Sequence, residues 1–83
     1  MTGVEKRERS LAEAVAVLVE KIHQSFPRVS TRPIPPYEDE DFTLEVRIPA
    51  DMDREEVMNT CIRHVLGIED RFGFAILTRV RKE

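Results

Sequence analysis

The chain has 83 residues and one cysteine, so it makes one small domain that no internal disulfide can hold together. Thirteen basic and sixteen acidic residues give a net charge of −3, whereas a dedicated duplex-binding protein carries a basic excess. A hydrophobic content of 41% excludes a disordered chain, and the longest apolar run, Ala14 to Val19, is far short of the roughly 18 residues that cross a membrane.

The first element reads as a helix. Leu11, Val15, Leu18, Ile22 and Phe26 recur at the spacing of one face of a 3.6-residue period. Two starts compete. Ser10-Leu11-Ala12-Glu13 and Thr2-Gly3-Val4-Glu5 both have the form of a capping box, and an i,i+4 pair of Glu5 with Arg9 favours the longer helix. Pro27 stops it, because the residue before a proline is pushed out of helical geometry. Arg28 to Tyr37 is extended. Pro33, Pro35 and Pro36 exclude a central strand there, which leaves Arg28 to Arg32 as a short edge strand. Glu38 to Asp41 follows as a wet acidic connection.

Phe42 to Ile48 is the clearest strand: Phe42, Leu44, Val46 and Ile48 face one way, and Thr43, Glu45 and Arg47 the other. Pro49 ends it. Asp53-Arg54-Glu55-Glu56 opens a second helix with a capping aspartate and an acidic first turn. Its apolar stripe is Val57, Cys61, Val65, Ile68 and Phe72, and Gly73 closes it. Phe74 to Arg81 is the last strand, with Phe74, Ile76 and Val80 on one face and Ala75, Leu77, Arg79 and Arg81 on the other. The order α-β-β-α-β predicts a two-layer α+β sandwich. Its small three-stranded mixed sheet has two helices on one face, a short first strand at the edge and a parallel pair joined by a right-handed crossover.

The catalytic inventory is thin. Cys61 and His64 are three apart on one helix, but a structural zinc needs four ligands and His23 is the only other histidine. Cys61 falls on the core stripe, where a free cysteine acts as a small hydrophobe. The acidic runs at Glu38 to Asp41 and Asp51 to Glu56 read as a solvated loop and a helix cap. Gly3, Gly67 and Gly73 are too scattered to cradle a phosphate. No enzyme activity, no cofactor and no metal is expected. A lone thiol behind a start without an apolar leader fits a reducing compartment, so a cytoplasmic location is expected, with no membrane association.

What remains is binding. The outward sheet face should carry Thr43, Glu45, Arg47, Leu77, Arg79 and Arg81, with Arg28 or Arg32 at its edge. Arginine is favoured at interfaces for its planar fork of donors. Arg47, Leu77, Arg79 and Arg81 are the expected partner contacts, and charge reversal at Arg47 and Arg79 should weaken binding with little loss of stability. Val17 stands off the apolar stripe of the first helix and, with Ala14, forms a second apolar flank suited to a homodimer. The expected function is an interaction or oligomerisation module, or a small accessory subunit, that binds a protein partner or itself through the sheet face or edge. A single-stranded RNA binder is the alternative. The element order resembles the type II KH arrangement, a resemblance that covers order alone and implies RNA binding through a GXXG turn between two helices. Here Val65-Leu66-Gly67-Ile68-Glu69-Asp70 holds one glycine and two acids. Tyr37 is the one aromatic expected to be exposed for stacking.

Overall fold

The computed structural model describes residues 3–36 and 38–83, with side chains from Ser10 onward, so the Thr2 cap, the Glu5–Arg9 pair and the Tyr37 ring lie outside the described residues. Five elements appear in the expected order: α1 (Gly3–Ser25), β1 (Ser30–Ile34), β2 (Phe42–Ile48), α2 (Arg54–Phe72) and β3 (Ile76–Lys82). The strands form one mixed sheet in the order β1-β2-β3, with β1 antiparallel and β3 parallel to β2. The longer start of the first helix is the one adopted.

β1 begins two residues later than the sequence predicts and contains Pro33, which pairs with Leu44. The geometry explains why the proline is tolerated. The Ile48 carbonyl accepts from the Glu83 N–H on the β3 side, so the odd residues of β2 turn their backbone groups toward β1. Their partners Ser30, Arg32 and Ile34 take the ladder bonds. Thr31 and Pro33 then point outward, where a missing N–H costs nothing. Arg28 lies outside the strand and forks onto the Asp51 carboxylate at 3.2 and 3.1 Å.

The acidic connection is more than a wet loop. The Glu40 carboxylate accepts from the Thr43 hydroxyl. Asp41 donates its N–H to the Ala75 carbonyl at 2.8 Å and accepts from the Ala75 N–H at 2.9 Å. Asp41 therefore pins the start of β2 beside the residue that leads into β3, and Glu40 folds back onto β2 itself.

α2 is capped as its sequence predicts: the Asp53 side chain accepts from the Glu55 N–H at 3.0 Å, and Gly73, at φ 79°, donates to the Glu69 carbonyl at 2.8 Å. Gly67 lies within the unbroken helix, and a Cβ there would meet nothing within 4 Å. The two glycines should respond oppositely to alanine. Gly67→Ala should raise stability by about 1 kcal/mol through helix propensity. Gly73→Ala should lower it by roughly 1–2 kcal/mol, because an L side chain is strained in the left-handed region. Urea denaturation of the two variants checks both signs.

The core lies between the helices and one sheet face. Leu18 and Ile22 of α1 meet Val57, Cys61 and Ile68 of α2 above Leu44, Val46, Ile48, Ile76 and Val80. The buried row of α1 is Ala14, Leu18 and Ile22, while Leu11 and Val15 are only half-buried. This corrects the expected apolar flank of Val17 and Ala14. Ala14 is wholly buried within the protomer, and Val17 packs half-buried against the core, so the pair does not form a second exposed face.

Candidate functional site on the outer face of the sheet

Both helices cover the same side of the sheet, and no other element among the described residues covers the opposite side. The register sets its side chains in three rows. Ser30, Arg32 and Ile34 pair with Arg47, Glu45 and Thr43, which pair in turn with Arg81, Arg79 and Leu77. Arg47, Leu77, Arg79 and Arg81 thus share one surface, as the strand alternation predicts. Val17, on α1, lies on the other side of the sheet and is not part of it.

The middle of this face is not solvated as the alternation implies. Thr43 is fully buried and Glu45 is 2% exposed, although both point away from the core. Arginine side chains shield the glutamate. Glu45 Oε1 accepts from Arg32 Nε at 2.7 Å and from Arg47 Nε at 3.3 Å, and Arg81 Nη1 approaches Oε2 at 3.6 Å. The Arg32 bond above all, and then the charges of Arg32 and Arg47, hold the Glu45 carboxyl below its ordinary value of 4.5. The arginine heads remain largely open to water. One fixed carboxylate therefore positions three guanidinium groups. Four arginines against Glu45, and against Glu40 on the Thr43 hydroxyl at one end, leave a positive surplus on this face of a chain whose net charge is −3. Leu77, 40% exposed, adds an apolar contact at the rim.

Glu45 is the organising residue that sequence reasoning missed. Its signal was present as an acid centred in a strand whose neighbours contribute arginines, but only the register shows which arginines meet it. One expectation changes as a result. Reversing Arg47 would set a carboxylate against buried Glu45, so this arginine is structural as well as exposed.

The other candidates are weaker. Cys61 is fully buried and desolvation pushes its thiol up to about 11, so it is a packed core side chain and a poor nucleophile at neutral pH. A thiol reagent should label it only after denaturant is added, which absorbance at a fixed reagent excess will show. His64 hydrogen-bonds to the Ser25 hydroxyl at 3.1 Å, and burial, with Lys21 and Arg63 nearby, disfavours its charged form. Among the described residues no cluster of three His, Cys, Asp or Glu could hold a metal ion, and no helix is long and apolar enough to cross a membrane. An open cleft between α1 and α2 is lined by Lys21, Arg63, His64 and Arg71, and among the described residues no buried side-chain polar atom is left without a hydrogen-bond partner there.

Fold and site together define a small α+β sandwich with an arginine-lined open sheet face. No known protein family, no curated protein and no solved structure matches the chain.

Proposed function

We propose that this chain is a non-enzymatic binding module that docks an acidic surface of a partner protein on the outer face of its sheet. The observation that carries this reading is the ordered guanidinium cluster of Arg32, Arg47 and Arg81 around buried Glu45, with Arg79 in register beside it and Leu77 exposed at the rim. Pre-positioned arginines lose less side-chain freedom on binding than free ones, and complementary charge speeds and selects association. Single-stranded RNA also requires cations, but it stacks its bases on aromatic rings. Phe26, Phe42, Phe72 and Phe74 all pack on the core side. Gly67, moreover, sits inside a continuous helix where a KH domain places its turn.

The test is a tagged pull-down from the native host's extract, with and without nuclease, comparing wild type with an Arg79→Gln/Leu77→Ser double variant. A stoichiometric protein that survives nuclease and binds the variant at least about tenfold more weakly supports the proposal. Equal capture by both chains removes the sheet face from the interaction. Capture that disappears with nuclease replaces the protein partner by RNA.

A further inference from the structure

The far edge of β3 meets no strand among the described residues. Ala75 and Glu83 direct their backbone bonds toward β2, so the odd residues of this strand face inward. Ile76, Thr78 and Val80 then turn their N–H and C=O groups outward. The Val80 carbonyl confirms the direction, since it accepts from Arg54 Nε at 3.0 Å on the α2 side. The opposite edge is closed by Pro33, whereas β3 contains no proline. Above the open edge lies one flank of α2. On that helix His64, Gly67 and Arg71 border the cleft toward α1. Ile62 and Leu66, one turn apart, lie on the other flank. They are 46% and 58% exposed, beside half-buried Met58 and Val65.

We infer that two copies of this chain pair β3 against β3 in antiparallel register about a two-fold axis at Thr78, with the Ile62–Leu66 flanks of their α2 helices packed face to face. The occupant is a second copy because the strand is complementary to itself in this register. Thr78 exchanges both backbone bonds with its symmetry mate, and Ile76 exchanges with Val80, using the outward groups alone. On the core side Ile76 meets Val80. On the outer side Leu77 meets Arg79 and Ala75 meets Arg81. Registers centred on Arg79 or Val80 would oppose arginine to arginine, which is destabilising. The Val80 carbonyl keeps its Arg54 contact, because a carbonyl accepts two hydrogen bonds. The helix direction fits as well. Arg54 reaches Val80 near one end of β3, and Gly73 leads into the other end. Ile62 and Leu66 therefore stand over the middle of the strand, and the two-fold sets Ile62 of each copy against Leu66 of the other. The result is a six-stranded sheet whose two arginine faces are continuous. This inference is independent of what docks on that face.

A seven-residue strand is about 23 Å long, and with one helix flank it makes an interface at the small end of the standard range. Light scattering on the full chain at about 100 µM should give twice the 9.6 kDa protomer mass. Leu66→Lys, at a position open to water, should return the mass to that of the protomer with the helical circular dichroism retained, and its melting midpoint should no longer rise with protein concentration as the wild type's does. Thr78→Cys should cross-link under mild oxidation, since a hydrogen-bonded pair holds its Cα atoms about 5.5 Å apart, within disulfide reach. A protomer mass at that concentration overturns the inference. So does a dimer that survives Leu66→Lys and leaves Thr78→Cys uncross-linked, which would move the contact to another surface, such as the groove of Leu11, Ala12, Val15, Ala16 and Phe42.

Discussion

Glu45→Lys should fail to give a folded chain. The substitution places a cation where the side chain is 2% exposed and where Arg32, Arg47 and Arg81 already converge. The native site has one acceptor group for these donors; the variant has none, and a buried charge without a partner is among the most destabilising changes a protein can carry. Circular dichroism should show no cooperative thermal transition. Glu45→Gln keeps the size and one acceptor oxygen, so it should fold with a lower midpoint.

The pH dependence separates the charge from the shape. The Glu45 carboxyl titrates lower in the folded chain than its ordinary 4.5, so the unfolded chain takes up the proton first. Its stabilisation is complete above about pH 4.5 and is lost as the pH falls through the folded value. His64 adds an earlier loss. Its folded value lies below 6.5, so the unfolded chain again protonates first and stability begins to fall below about pH 6.5. Wild-type urea midpoints should therefore decline in two stages toward acid. Glu45→Gln should flatten the lower stage and leave the upper one. A lower stage of unchanged depth in Glu45→Gln would assign the acid loss to other carboxylates, such as Asp51 beside Arg28.

Leu18→Ala should produce the second large effect. Leu18 is fully buried where α1 meets α2 and the sheet. Deleting such a side chain costs about 2–5 kcal/mol, from lost burial and from the cavity left behind. At about 0.05–0.15 kcal/mol per residue, a chain of this size holds roughly 4–12 kcal/mol in all, so one substitution removes a large share. Denaturant unfolding should show a lower midpoint with an unchanged slope. The same truncation at half-buried Val17 should cost much less.

The contrast between Leu18 and Val17 shows where sequence reasoning reached. A spacing of three and four places residues on a helix face, but the face is about 100° wide, and a small residue such as Ala14 can sit at its centre or its rim. Ala14 sits at the centre, wholly buried in the core, and the elements that cover it are not written in the local pattern. β1 shows the same limit. The prolines marked it as an edge, but the pairing of Ser30 with Arg47 decided which backbone groups pointed outward, and so allowed Pro33 inside the strand.

The order of elements, the two faces of β2 and β3, the caps of α2 at Asp53 and Gly73, and the outward placing of Arg47, Leu77, Arg79 and Arg81 all follow from the chain itself. They rest on local physics: the two periods of the backbone, the geometry of caps, and the conformational limits of proline and glycine. The burial of Glu45 under its arginines, the pinning of Asp41 to Ala75, and the open flank of Ile62 and Leu66 beside a free strand edge were decided by tertiary structure alone. Each depends on which distant segments lie side by side, and residues as far apart as Arg32, Glu45 and Arg81 meet only when the sheet has formed.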